Sequence, residues 1–217
     1  MNKLQTAIAA AVLALGVSTA AQAQFSLPSI PGVKSLGGSG GGAVDLSGQQ
    51  DGLVRGYVAA NKDVLDANGL MANALGLKQE AATAEATSAA LTDGSTKGNL
   101  EDANKAVGEL SAKVAAAMAN KPVLDAQSKA LYSKGLLMLV SGVGKFTGVG
   151  KNVSNMGSSL KSVSPLQLPK LQSAVYIVSN FPTSMSNVGG ALQNAISFAQ
   201  SQDIPVPASA NDVLKAL

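Results

Sequence analysis

Residues 131–160 read LYSKGLLMLVSGVGKFTGVGKNVSNMGSSL, and this stretch decides the fold. Apolar residues and glycines recur in it at steps of three and four, which places them on one face of an α-helix. A face that persists over so many turns is typical of the packing seam of a helical bundle. Two steps of four follow each other around Gly142, so the seam has one irregular step there. Its members are Leu131, Gly135, Met138, Gly142, Phe146, Val149, Val153, Met156 and Leu160.

The same periodicity continues towards the N-terminus. It predicts helices near residues 50–75, 78–92 and 99–119, followed by the long helix over 123–162. The third helix is expected to end before Pro122, because the residue that precedes a proline avoids helical backbone angles. The first helix carries its apolar face on Val54, Tyr57, Val58, Asn61, Val64, Leu65, Asn68, Met71 and Leu75.

A fifth helix is predicted from residue 171 to residue 199. Pro182 lies inside it and lacks a backbone N–H, so we expect a kink or a break there. Ser209 is expected to cap a last short helix, with Asp212 as its capping-box partner. Alternating strand patterns are nearly absent. The pattern therefore predicts an all-α, antiparallel bundle of four to six helices.

The first 23 residues have the features of a cleavable secretory signal peptide. Lys3 precedes the apolar run Thr6–Val17, and Ala21 and Ala23 form an A-x-A cleavage site. The apolar run is shorter than the roughly 20 residues that a membrane-spanning helix needs. We therefore expect cleavage after Ala23, a periplasmic or secreted protein of the bacterial envelope, and no transmembrane span after cleavage.

Residues 24–48 are expected to follow as a flexible linker. They contain seven glycines together with Pro28 and Pro31, a composition that disfavours a fold of its own. The remaining residues, 49–217, are expected to form a single helical-bundle domain.

The composition restricts the chemistry that this chain can perform. It contains no His, no Cys and no Trp. A Ser-His-Asp or Cys-His catalytic apparatus is therefore excluded, and the residue types of an ordinary zinc site are missing. The scarcity of aromatic residues argues against a base-stacking surface for nucleic acid. We expect no enzyme activity, no cofactor and no metal.

The segment 141–157 contains Gly-Val-Gly-Lys twice, at 142–145 and 148–151. A phosphate-binding loop is not expected, because its first glycine is replaced by Lys145 and its Ser or Thr by Asn152. Each glycine inside a helix costs up to about 1 kcal/mol relative to alanine. Two explanations for tolerating this cost remain open: close packing against a neighbouring helix, or a hinge. The residues concerned are Gly142, Gly144, Gly148 and Gly150.

Ser158 and Lys161 have the S-x-x-K spacing found in serine acyl enzymes. One helical turn would bring the lysine amine beside the hydroxyl. The S-D-N and K-T-G elements that accompany this motif are missing, so a hydrolase-like enzyme is kept only as an unfavoured alternative.

Charge is distributed unevenly along the chain. Residues 45–109 hold ten acidic and five basic residues, whereas residues 126–202 hold six lysines and no acidic residue. One interpretation is that the two halves attract each other within the fold. The other is that the lysines bind an anionic partner. The lysines are Lys129, Lys134, Lys145, Lys151, Lys161 and Lys170.

These observations lead to one functional expectation and two alternatives. We expect an exported, non-enzymatic helical bundle that binds an envelope protein or an anionic lipid through the apolar, lysine-bearing hairpin 123–202. The first alternative is a structural or stress-related periplasmic scaffold that forms homo-oligomers. The second is the Ser/Lys hydrolase.

Overall fold

A computed structural model describes residues 45–217 of the chain. In this range the chain forms six α-helices packed together, with one short 3-10 helix and no strand. The predicted all-α fold of four to six helices is therefore confirmed for the described residues. The predicted signal peptide, 1–23, and residues 24–44 of the predicted linker lie outside them. The helices are α1 Leu46–Ala74, α2 Lys78–Ala90, α3 Lys97–Ala119, α4 Ala126–Leu160, α5 Gln172–Ser201 and α6 Ser209–Lys215, and the 3-10 helix is Leu168–Leu171.

The seam of α4 packs mainly on α1. All of its predicted members are buried or half-buried, which follows from the periodicity of the sequence. Glycines allow the two helices to approach closely. A methyl group on Gly142 would lie 2.8 Å from Val64 Cγ2 and 3.1 Å from the Val64 backbone nitrogen. A methyl group on Gly135 would lie 3.0 Å from the carbonyl oxygen of Ala67.

Helix directions follow from the residues that face each other. Gly135 faces Ala67 and Gly142 faces Val64, so α1 and α4 are antiparallel. Contacts between Tyr57 and Asn104 and between Asn68 and Ser111 show that α1 and α3 run in the same direction.

The fifth helix shares this direction with α1. Gln50 Oε1 accepts a hydrogen bond from the Ala174 backbone N–H. Tyr57, which follows Gln50 in α1, contacts Ser184, which follows Ala174 in α5. The helices α1, α3 and α5 thus run parallel and contact one another. Polar side chains on their facing sides meet at similar heights, and this arrangement builds the site described below.

The starts of α1 and α4 differ from the sequence-based boundaries. Helix α1 begins at Leu46, within the predicted linker, because Asp45 caps it by accepting a hydrogen bond from the Gly48 N–H at 2.9 Å. Helix α4 begins at Ala126 rather than residue 123, since Asp125 accepts from the Ser128 N–H at 2.7 Å.

The prediction for the last helix is wrong in one respect. Ser209 is the first residue of α6 and makes no capping hydrogen bond there; Ala208 occupies the cap position.

Helix α5 runs through Pro182 without a break. Proline removes one backbone donor, but the nearby residues Phe181 and Ser184 are buried against the bundle. The predicted break is therefore wrong, and the predicted kink stays a prediction.

Candidate ligand-binding groove

The predicted lysines do not come together at one place. Lys145 forms an ion pair with Asp63 of α1, with Nζ 2.7 Å from Oδ2. The same carboxylate accepts a hydrogen bond from the Ser141 hydroxyl at 2.7 Å. Lys134 lies in a surface depression together with the acidic residues Asp66 and Glu85. These two lysines therefore face the acidic half of the chain within the fold.

The other four lysines are distributed along α4 and the connection to α5. Lys129 is half-buried, and Lys151, Lys161 and Lys170 are exposed. None of the four makes an ion pair with another residue between 45 and 217.

The four glycines of the 142–150 segment lie in a continuous helix but have different surroundings. Gly142 is in close contact with α1, as described above. A methyl group on Gly144 would lie 3.8 Å from Val213 Cγ2, and one on Gly150 would lie 3.7 Å from the Phe181 ring. Both are ordinary contact distances. Space around Gly148 is open. Close packing thus accounts for Gly142 alone, and the hinge stays a prediction for the other three.

Ser158 and Lys161 are exposed near the C-terminal end of α4. Within the described range their side chains make no hydrogen bond with each other, and neither residue lines one of the depressions that follow.

A groove between α3 and α5 brings together residues that the sequence did not single out as a site. We call it the α3–α5 groove, and it has two adjoining compartments that share Glu101, Tyr176 and Asn180. The outer compartment has a volume of about 720 Å³ and a largely apolar wall. Its lining residues are Lys97, Glu101, Pro165, Leu168, Pro169, Gln172, Val175, Tyr176, Ser179 and Asn180.

The inner compartment is smaller, about 330 Å³, and richer in polar side chains. Carboxamides and hydroxyls from three helices reach it, and aliphatic and aromatic groups complete the wall. Its lining residues are Asn61, Glu101, Asn104, Lys105, Val107, Phe146, Tyr176, Asn180, Thr183, Ser184, Asn187 and Val188.

A hydrogen-bond network crosses the interface of α1, α3 and α5 at this point. The Tyr57 hydroxyl donates to Asn104 Oδ1 at 2.8 Å and lies 2.9 Å from Ser184 Oγ. Asn104 Nδ2 in turn donates to the Tyr176 hydroxyl at 2.8 Å and to Ser184 Oγ at 3.3 Å. Ser184 also donates to the carbonyl oxygen of Asn180 at 3.1 Å. The network fixes the side chains that line the inner compartment.

One lining residue has an unsatisfied polar atom. Asn61 is 1% exposed, and its Nδ2 donates to the carbonyl oxygen of Tyr57 at 2.9 Å. Its Oδ1 is buried and has no hydrogen-bond partner in the described part of the chain. A buried acceptor without a donor costs about 1–3 kcal/mol. This oxygen is closed off from the compartment that other atoms of Asn61 line.

Asn68 gives an internal comparison. It lies two turns further along the same face of α1, is also 1% exposed, and also has an unpartnered Oδ1. Its Nδ2 donates to Ser111 Oγ at 3.0 Å, and it lines neither compartment of the groove.

The tyrosines of the network are hydrogen-bond donors at neutral pH. Burial raises the pKa of Tyr57 above its ordinary value of 10.0, although hydrogen bonds with Ser184 and Asn104 act in the opposite direction. Burial also raises the pKa of Tyr176, where the Asn104 hydrogen bond again opposes it. The Tyr176 hydroxyl accepts from Asn104, and its own proton has no acceptor among residues 45–217.

The described residues contain no group of three or more acidic side chains placed to hold a metal ion. None of their helices combines the length and the apolar character needed to cross a membrane. The described residues thus form a helical bundle with a groove, partly lined by polar side chains, between the parallel helices α3 and α5. Comparisons with protein-family models, with curated proteins and with solved structures found no match to this chain.

Proposed function

We propose that this chain is an exported, non-enzymatic binding protein of the bacterial envelope, and that its ligand occupies the α3–α5 groove. The observation that carries the proposal is the α3–α5 groove itself, whose two adjoining compartments combine an apolar wall with carboxamide and hydroxyl side chains. Pockets that combine an apolar wall with a few convergent polar groups are the usual form of ligand sites.

Binding rather than catalysis is supported by the chemistry of the lining. The groove presents carboxamides, hydroxyls and aliphatic groups, and its charged residues are Lys97, Glu101 and Lys105. Lys97 and Glu101 form an ion pair with Nζ 3.2 Å from Oε1. A general acid or base needs a titratable group near neutral pH, and neutral amides do not provide one.

The proposal modifies the expectation from the charge pattern. The hairpin 123–202 keeps a role, because α5 forms one wall of the groove, but the ligand contacts amides and hydroxyls rather than lysines. Binding of an anionic lipid through Lys129, Lys151, Lys161 and Lys170 stays a prediction. Flotation of the mature protein with anionic and neutral vesicles tests it, and equal, negligible binding to both would remove it.

Self-association is a second candidate, and one surface observation favours it. Leu166, in the connection between α4 and α5, is 89% exposed, and Leu168 and Val175, which both line the outer compartment, are 38% and 37% exposed. Apolar residues grouped in this way are typical of interaction surfaces. Analytical ultracentrifugation of the mature protein and of a Leu166→Ser variant tests this candidate. A strict monomer at high concentration would contradict it.

Native mass spectrometry tests the main proposal. The mature protein is purified from its own envelope as the wild type, as Ser179→Trp and as Ser154→Trp. Ser179 lines the outer compartment, so a tryptophan there fills the groove, whereas Ser154 is an exposed position of α4 away from it. We expect an additional mass on the wild type and on Ser154→Trp that is lost from Ser179→Trp. The same spectrum for all three proteins would contradict the proposal.

A further inference from the structure

We propose that this chain forms dimers by exchanging residues 204–217, so that α6 of one copy lies on α4 and α5 of a second copy. The surface of α4 and α5 that α6 covers is called the α6 seat. This inference is independent of the α3–α5 groove and of any ligand bound there. It is drawn from the fit of α6 to its seat, from the shortness of α6 and from the turn that leads to it.

The α6 seat is shaped to the side chains of α6. A methyl group on Gly189 of α5 would lie only 2.7 Å from Leu217 Cδ1, so Leu217 takes the space that a side chain would otherwise fill. A methyl group on Gly144 of α4 would lie 3.8 Å from Val213 Cγ2, which is an ordinary contact distance. Ala210 is 0% exposed. The occupant that fits this seat is therefore a helix with the sequence of α6, whether it comes from the same copy or from a second one.

Helix α6 depends on its seat. It has seven residues, and no side chain caps its start. An isolated helix shorter than about 12 residues is marginal in water, so α6 is stabilised by packing. Val213 and Leu214 are partly buried against the core, and Leu214 also borders an uncharged surface depression of about 770 Å³ on α5. A copy whose α6 has left its seat exposes apolar surface on both, and a second copy in the same state covers both.

The turn between α5 and the exchanged segment is where the chain would open. Helix α5 ends at Ser201, and the contact of Leu217 with Gly189 shows that the following residues run back along α5. The reversal places Asp203 at a φ of 56°, in the left-handed region that disfavours residues with a side chain. Opening at Asp203 relieves this conformation and carries residues 204–217 away from their own α4. Strain in a hinge of this kind favours exchange between copies.

The balance between the two forms depends on this turn and on concentration. Each α6 makes the same contacts with its seat in the monomer and in the exchanged dimer, so these contacts favour neither form. The short connection gives α6 an effective concentration in the millimolar range at its own seat, which favours the monomer in dilute solution. We therefore expect dimers at high protein concentration.

Disulfide trapping in the mature protein tests the exchange directly, because the chain contains no cysteine of its own. Gly144→Cys and Val213→Cys are prepared as separate proteins, mixed at high concentration and oxidised with glutathione disulfide. The double variant in one chain shows that the two positions can be bridged. Gly148→Cys replaces Gly144→Cys in the control mixture, because Gly148 lies on the same helix with open space around it.

We expect a mixed disulfide between one copy with Gly144→Cys and one with Val213→Cys, and none above background with Gly148→Cys. The oxidised double variant should stay monomeric at every concentration, because each α6 is fixed to its own seat. Analytical ultracentrifugation of the wild type should show a monomer–dimer equilibrium. Asp203→Gly should weaken dimerisation by about tenfold, since glycine adopts the left-handed turn without strain. Asp93→Gly, at an exposed turn elsewhere, should leave it unchanged.

Four results would overturn the inference. A strictly monomeric wild type would exclude any dimer, and a mixed disulfide no more abundant than with Gly148→Cys would exclude exchange. A double variant that stays reduced would contradict the contact between Val213 and Gly144. A dimer that is lost in Leu166→Ser but unchanged in Asp203→Gly would place self-association at Leu166 instead. None of these outcomes depends on whether a ligand sensitive to Ser179→Trp is retained.

Discussion

At the scale of single residues, the glycines of α4 differ in what surrounds them. Gly142 sits against Val64 and Asp63 of α1, where an added Cβ would meet a backbone nitrogen at 3.1 Å, whereas the space around Gly148 is open. Removing either glycine gains up to about 1 kcal/mol of helix propensity. Only at Gly142 does the added methyl group also force an overpacked contact, which costs about 1–3 kcal/mol.

The pair gives a direct prediction. Gly148→Ala should raise the free energy of unfolding by up to about 1 kcal/mol. Gly142→Ala should lower it by up to about 2 kcal/mol, which is the packing cost less the propensity gain. Urea denaturation followed by circular dichroism measures both. Equal stabilisation by the two alanines would contradict the close approach of α1 and α4.

The buried asparagines show how far residue-level reasoning reaches from sequence. Asn61 and Asn68 recur at the positions of the apolar face of α1, so their burial follows from the periodicity. Their different surroundings do not follow from the periodicity, because the groove that Asn61 lines is formed mainly by side chains of α3 and α5. Asn104 and Ser184 come from helices far apart in the chain, and no local pattern predicts that they meet.

At the scale of helices, the N-terminal caps decide where α1 and α4 begin. Both are aspartates that accept a backbone N–H three residues on. The sequence pattern does not reveal Asp45 as a cap, because Gly48 continues a glycine-rich run. It does not reveal Asp125 as a cap either, because Pro122 marks a more prominent boundary between α3 and α4. It assigned a cap to Ser209 where the chain makes none. The periodicity that marks helix interiors carries little information about such ends, which single hydrogen bonds determine.

The α4 cap predicts how stability depends on acid. Hydrogen bonds from the Ser128 backbone, and from its side chain, hold the pKa of Asp125 below its ordinary value of 3.8. A carboxyl with a lowered pKa in the folded protein stabilises it above the ordinary pKa, and this contribution is lost as the pH falls through the lowered one. Asp125→Ala should therefore reduce the melting temperature near neutral pH and have a diminishing effect below pH 3.8.

Thermal unfolding across this pH range is the appropriate measurement. Asp93→Ala is the control, because Asp93 is an exposed residue of the α2–α3 connection. A difference between Asp125→Ala and the wild type that persisted unchanged at low pH would show that the carboxylate is not the stabilising group.

At the scale of the whole molecule, the three tyrosines connect the helices across the bundle. Tyr57 and Tyr176 belong to the α1–α3–α5 network, and the Tyr132 hydroxyl of α4 lies 2.9 Å from Met118 Sδ and 3.1 Å from the Ala195 carbonyl oxygen, two acceptors that share its one proton. Burial raises the pKa of all three above 10.0. The chain contains no other tyrosine and no tryptophan, so its near-ultraviolet signal reports on these positions.

An alkaline titration should reflect this arrangement. A raised pKa in the folded state means that the neutral phenols stabilise the fold fully below pH 10.0, and that the contribution is lost as the pH rises towards the raised values. Tyrosinate absorbance should therefore show no transition at the ordinary pKa, and should rise at higher pH together with loss of helical circular dichroism. Reversible ionisation of Tyr57 or Tyr132 at the ordinary pKa, with the fold intact, would contradict their burial.

The fold class and the main packing seam could be predicted because both depend on local periodicity. The groove could not be predicted, since it arises where three parallel helices bring polar groups to the same level along the bundle. The charge pattern pointed to lysines, and two of them, Lys134 and Lys145, face acidic residues of the same chain instead.

A crystal structure of the protein purified from its own envelope tests the central claim most directly, because it shows what occupies the α3–α5 groove. We expect ligand density between α3 and α5, against the side chains that line the two compartments. A groove that holds only solvent would contradict the claim.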